Sequence, residues 1–296
     1  MTRRFWLNLI LLLLVLLLAA AAYFESNRQV AGTGMLPLLD LPANQVRRIE
    51  VQHRDAPALR LERTDNGWQL LAPVRVAASE YRVDGLLKLL SASSYAHFPA
   101  AQRPLSNFGL DHPLTRILFN DSAIAFGGNE SLNRRRYVLV GDQVHLIDER
   151  HFYQSQLLVT ALVDLALLPK DGVLSRISLP GLLLQQKGDD GGWQLSGGSV
   201  QSPVSMDDIN GLVDEWQNVH AVQVSRYQSD VAEGYVELLF DNGESMTLEM
   251  LARVPELILG RKTLGLRYHF DADQGDRLLG LPSSFSELSV TGSRDD

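Results

Sequence analysis

The chain has 296 residues, of which 45% are apolar, a net charge of −8 and no cysteine. The acidic balance argues against a nucleic-acid binder, which needs a basic face for phosphates. The absence of cysteine excludes disulfide staples, a lipidated anchor and thiolate metal ligands, so any exported module must hold by core burial alone.

The N-terminus reads Met1-Thr2-Arg3-Arg4, followed by an apolar run from Phe5 to Phe24 broken only by Asn8. About 20 apolar residues suffice for a helix to cross a ~30 Å hydrocarbon layer. Arg3 and Arg4 precede the run and Glu25 follows it, so positive-inside logic keeps the N-terminus cytoplasmic and exports the remainder. A cleaved signal peptide is the competing reading, because Ala20-Ala21-Ala22 offers small residues for cleavage. Residues 1–24 are thus expected as a single-pass anchor in a bacterial inner membrane, with the bulk of the chain periplasmic. Residues 25–44, with Gly32, Gly34, Pro37 and Pro42, read as a tether.

Beyond the tether the chain repeats itself. Gly67-Trp68-Gln69-Leu70 recurs as Gly192-Trp193-Gln194-Leu195. Val83, Leu86, Leu87 and Leu90 have the spacing of one helix face, and so do Ile209, Leu212, Val213 and Trp216. Ser79 and Ser205 stand as N-caps before the two helices, and Asp208 completes a capping box with Ser205. Arg48-Ile49-Glu50-Val51 matches Arg176-Ile177-Ser178-Leu179, and Leu118-Phe119-Asn120 matches Leu239-Phe240-Asp241. Gly128 with Arg136-Tyr137 is set against Gly260 with Arg267-Tyr268. Such order marks a duplication.

In the first copy the alternation predicts strands near 46–52, 58–63, 67–71, 115–120, 123–127, 136–141 and 143–148, with a helix near 80–93. Asp65-Asn66-Gly67 and Gly141-Asp142 read as hairpin turns. In the second, Asp189-Asp190-Gly191-Gly192 and Asp241-Asn242-Gly243 play that part. The expected fold is α+β: two tandem copies of a mainly antiparallel sheet with a helix, behind one N-terminal transmembrane helix. The first repeat covers 45–150 and the second 171–283; 151–170, apolar from Leu157 to Leu168, reads as a connecting helix and 284–296 as a polar tail.

Chemistry is harder to find. Trp68 and Trp193 suit the gap between sheet and helix better than ligand stacking. Arg134-Arg135-Arg136 suits a solvated strand edge better than an anion site. Gly127-Gly128-Asn129 suits a plain turn better than an anion nest. His145 and Glu149 would share a strand face, while Asp148 points away and His151 lies past the strand end. There is no H-E-x-x-H, nucleophile elbow, P-loop or dinucleotide fingerprint. No catalytic, cofactor-binding or metal residue is assigned, and no enzyme and no cofactor are expected.

Gly67-Trp68 with Pro73, the loop Phe108-Gly109-Leu110-Asp111-His112-Pro113, and Gly128 with Arg136-Tyr137-Val138 together resemble the bacterial family called domain of unknown function 4340. Phe108 stands where that family more often has tyrosine. The likeness covers residues 46–165 well and the second copy loosely. It implies an exported, membrane-tethered protein, some of whose relatives accompany ABC-transporter components of the gliding-motility type, and it supplies no catalytic residues. The expectation is a membrane-anchored periplasmic accessory or scaffold acting through protein contacts, with a transporter or envelope complex as partner. The alternative is a binding module for glycan, lipid or peptide in the cleft between the repeats.

Overall fold

The structure is a computed structural model that describes residues 13–17, 37–130, 134–188, 192–197 and 204–280. Most of the expected anchor and tether, the turn at 189–191 and the polar tail lie outside the described residues. Residues 13–17 are helical and exposed. Among the described residues, no helix is long and apolar enough to cross a membrane.

The first repeat runs β1 (Arg48–His53), β2 (Leu59–Thr64), β3 (Gly67–Ala72), β4 (Val76–Ala77), α1 (Glu80–Leu87), β5 (Ala96–Pro99), β6 (Thr115–Phe119), β7 (Ser122–Glu130), β8 (Arg135–Val140) and β9 (Gln143–Asp148). Its sheet has the order β4-β3-β2-β1-β6-β7-β8-β9-β5. Period-two alternation sets the faces: Thr115, Ile117 and Phe119 are buried, while Arg116 is exposed and Leu118 half-buried between them. Two-residue loops close the expected hairpins, with Thr64 opposite Gly67 and Val140 opposite Gln143. Strands β4 and β5 were not expected. The first has two residues, and the second is an edge strand ending in Pro99, where a missing N–H costs no ladder bond.

Helix α1 stops at Leu87, short of the expected 93. Beyond it the amides of Leu89 and Leu90 bond the carbonyls of Leu86 and Leu87, three residues back. This tightened turn buries Leu89 as well as Leu90, which a continuing α-helix would place a hundred degrees apart.

The segment expected as one connecting helix is broken. It contains α2 (Arg150–Ser155), the single turn α3 (Val159–Leu162) and an extended stretch that bridges Ala78 through Val163 and His220 through Ala166. Asp164 takes the Ala166 amide on its own carboxylate at 3.1 Å, which turns the chain where a helix would need that amide four residues back.

The second repeat runs β10 (Leu174–Leu179), β11 (Leu182–Lys187), β12 (Gly192–Ser196), α4 (Met206–Gln217), β13 (Gln223–Arg226), β14 (Gly234–Phe240), β15 (Ser245–Ala252), β16 (Leu257–Arg261), β17 (Leu266–Phe270) and α5 (Ala272–Leu279). Its sheet order is β12-β11-β10-β14-β15-β16-β17-β13. Apart from β4, this is the order of the first sheet strand for strand, and each sheet is followed by a short helix, α2 or α5. The fold is two mainly antiparallel sheets with a few helices, built twice on one plan. Among the described residues, those up to 58 with 85–156 make one compact unit, and those at 59–84 with those from 157 on make the other.

Topology corrects two of the matches between copies. The Asn120 amide bonds the Arg48 carbonyl as the Asp241 amide bonds that of Val173, both at 2.9 Å. Arg48 is therefore equivalent to Val173, and Arg176, which follows a bulge after Leu174 and pairs with Leu239 as Glu50 pairs with Leu118, is equivalent to Glu50. Likewise Arg136-Tyr137 lies on β8, whereas Arg267-Tyr268 lies on β17, the counterpart of β9. The Gly-Trp-Gln-Leu match holds, on β3 and β12.

Helix α4 is capped as expected. The Ser205 hydroxyl accepts from the Asp208 amide at 3.1 Å and the Asp208 carboxylate accepts from the Ser205 amide at 3.3 Å. Its Ile209, Leu212, Val213 and Trp216 are all buried. Trp68 is buried too, but Trp193 on the edge strand β12 is only half-buried, so one of the two tryptophans expected in the core leaves it.

Candidate functional site

The first sheet has an inner face carrying the core and an outer face partly covered by the loop between β5 and β6. Phe108 packs there against Phe98 and Tyr137, with ring centroids 5.2 and 4.8 Å apart, and with Leu110 and Val144 it forms a small second core. Gly127 makes this docking possible. A Cβ on it would lie 2.4 Å from the Phe108 carbonyl oxygen and 2.8 Å from the Leu110 Cγ. Gly127-Gly128-Asn129 is therefore no turn between strands. It lies within β7, at a bulge between Phe126 and Asn129 that lets the loop approach.

Beside that loop a groove of about 600 Å³ opens. Ala123, Ala125 and Leu139 line it, and small side chains at the two alanines leave the room. Leu110 and Pro113 stand at its edge with the charged Asp111, Arg116 and Asp121.

The three arginines part company. Arg135 stacks over the Tyr95 ring at 4.2 Å. Arg136 is buried: its Nε and Nη2 donate to both Glu149 carboxylate oxygens at 3.0 and 2.6 Å, Nη1 donates to the Gly127 carbonyl at 2.5 Å, and the guanidinium lies 3.6 Å from the Phe152 ring centre. The expected solvated edge is wrong here, because β8 is an interior strand and Arg136 faces the core. This pair clamps the strand after the bulge to the start of α2.

Glu149 being taken, the histidine cluster does not converge. His145 Nδ1 lies 3.0 Å from the Ser94 hydroxyl and its ring stacks on His97 at 5.7 Å, while His151 contacts Gln154. Among the described residues no group of His, Asp and Glu could hold a metal ion. Burial, and then the neighbouring His97, lower the His145 pKa from 6.5 to about 4. The unfolded chain binds this proton near pH 6.5 and the folded one does not, so folding is favoured above pH 6.5 and loses stability as pH falls toward 4. Part of the ring faces solvent, so the loss is about 1–2 kcal/mol. Urea unfolding at pH 7 and pH 4.5 checks this: His145→Asn should shrink the difference between the two.

The outer face of the second sheet is polar. Register places Tyr235, Glu249, Gly260, Arg267 and Ser225 in one row across five strands. Gly260 leaves room for the Tyr227 ring, whose Cε2 would lie 2.8 Å from a Cβ there. The Tyr227 hydroxyl donates to Glu249, which raises its pKa to about 12. Along the same face Arg267, Ser225, His269 and Glu256 form a continuous line: Nε to Oγ 2.9 Å, Oγ to Nε2 2.7 Å, and Nδ1 to Oε1 3.0 Å. Sequence reading missed it, since positions 225, 256 and 269 fit no spacing motif. Only cross-strand register brings them together.

A family model described as domain of unknown function (DUF4340) matches residues 68–245, more than half of the chain. The chain belongs to the DUF4340 family. No curated protein and no solved structure matches it. The match begins at Trp68 on β3 and ends at Ser245 at the start of β15, so the family's unit draws on both copies, whereas the sequence motifs lay mainly over 46–165.

Proposed function

We propose that this DUF4340 member is a membrane-anchored periplasmic accessory that works through protein contacts, with a transporter or envelope complex as its partner. The supporting observation is the groove on the outer face of the first sheet. The loop carrying Phe108 to Pro113 borders it, and that loop is long in this copy alone: fifteen residues separate Pro99 from Thr115, against seven between Arg226 and Gly234 in the second. A duplicated scaffold that elaborates one face of one copy suits a contact surface. Asp111, Arg116 and Asp121 beside an apolar floor supply the mixture of anchoring and orienting groups that such surfaces use.

A photo-cross-linking side chain in place of Arg116 tests this in intact membranes carrying the full-length chain. A discrete adduct with an envelope protein is expected there and not when the same side chain replaces Tyr235 on the other sheet. Equal or absent adducts at both positions would sink the reading. A glycan, lipid or peptide ligand is the second reading, favoured by the groove's volume, which falls in the ~300–1,000 Å³ range of small-molecule sites. A rise in melting temperature with an envelope glycan or lipid, lost on Arg116→Ala, would select it.

A further inference from the structure

We infer that Ser225, His269 and Glu256 are a nucleophile, a base and an orienting carboxylate, and that this line on the second sheet cleaves small carboxylic esters. This goes beyond the contact role and involves a different sheet.

Donor and acceptor chemistry fixes the two ends of the line, and the middle bond follows when the imidazole is neutral. Arginine can only donate, so Arg267 Nε gives its hydrogen to Ser225 Oγ at 2.9 Å. The serine's own hydrogen is then left for His269 Nε2, 2.7 Å away. A carboxylate can only accept, so the imidazole N–H sits on Nδ1 and points at Glu256 Oε1, 3.0 Å away. In a neutral ring that leaves Nε2 as the base facing the serine hydroxyl. These are the distances and the tautomer that nucleophilic serine catalysis requires. At the far end, Asp230 Oδ2 holds Arg267 Nη1 at 2.9 Å and so fixes the guanidinium against the serine.

The scaffold is rigid where it matters. Ser225 and Arg267 are directly opposed on β13 and β17, and His269 is the next residue on the same face of β17. The His269 side chain is 11% exposed and that of Glu256 40%, so the ring is held while the line stays open to solvent.

In the reaction, Oγ bonds to the acyl carbon as its proton passes to Nε2. The tetrahedral adduct collapses, the bond from carbon to the alcohol oxygen breaks, and the alcohol leaves with the proton from Nε2. Water then attacks the acyl-serine along the same path, releasing the carboxylic acid and restoring the hydroxyl. Arg267, whose guanidinium lies beside Oγ, is the donor assigned to the oxyanion. A single donor suits an ester, whose leaving group is better than that of an amide. The Tyr227 ring beside the line, over Gly260, restricts the acyl group to a short one.

The test uses the full-length protein in detergent with a fluorophosphonate probe and p-nitrophenyl acetate. Labelling should map to Ser225 by peptide mass and vanish in Ser225→Ala. His269→Gln should slow ester hydrolysis roughly 100-fold, within the range expected for losing a general base. Absence of labelling in the wild type overturns the proposal directly, with no dependence on how any variant folds. So does a His269→Gln protein that melts and reacts as the wild type does. Neither result bears on the cross-link at Arg116.

Discussion

Arg136→Ala should destabilise the first unit by about 3–5 kcal/mol, the cost of removing one partner from a buried ion pair. The Arg136 side chain is 8% exposed and that of Glu149 17%, so water cannot replace what is lost. The substitution strands the Glu149 carboxylate, leaves the Gly127 carbonyl without its donor and opens a gap beside Phe152. Arg136→Lys should recover only part of this, since an ammonium cannot make the two-pronged contact. Replacing both partners, as in Arg136→Met with Glu149→Leu, should cost less than Arg136→Ala alone, because no unpaired charge remains. Urea midpoints at constant pH distinguish the three. If Arg136→Ala shifts stability by less than about 1 kcal/mol, the expected value for an exposed pair, the clamp is not what holds β8 to α2.

Trp216→Ala should be of similar size, about 3–5 kcal/mol, in the second unit. The indole is fully buried under α4, and its N–H donates to the Leu278 carbonyl at 2.8 Å. That carbonyl lies in the last turn of α5, where carbonyls have no partner inside the helix. The alanine therefore leaves both a cavity and an orphaned acceptor. Trp216→Phe isolates the second effect, and a loss of about 1–3 kcal/mol is expected from the unpaired group. Trp193→Ala, on an edge strand and half-buried, should cost clearly less than Trp216→Ala in the same urea titration. Equal losses at the two positions would contradict the burial that separates them.

Much of the scaffold could be read from the residues. The Gly-Trp-Gln-Leu pair, the Ser205–Asp208 box and the apolar face of α4 all come out where local chemistry puts them, because a turn, a cap and a helix stripe involve residues within a few positions of each other. Matches that depended on counting along strands failed. Arg176 came out equivalent to Glu50 and not to Arg48, and an Arg-Tyr pair fell on non-equivalent strands.

The candidate sites were barely legible. A run of three arginines looks solvated, and nothing within it announces that Glu149 waits thirteen residues on to pair with Arg136. Gly127-Gly128 has the composition of a turn, yet a carbonyl from a distant loop occupies the space where its Cβ would be. Ser225 and His269 are 44 residues apart and carry no motif.

The sequence by itself determined that the chain is a duplicated, cysteine-free, mainly antiparallel scaffold in the DUF4340 family, since periodicity, capping and turn preferences act over a few residues and survive without knowledge of partners. Only the tertiary structure decided which charges are buried, which glycines admit a loop, and which polar side chains meet on an outer face. Those are set by strand register and by packing between segments far apart in the chain, and a single bulge resets every side chain that follows it.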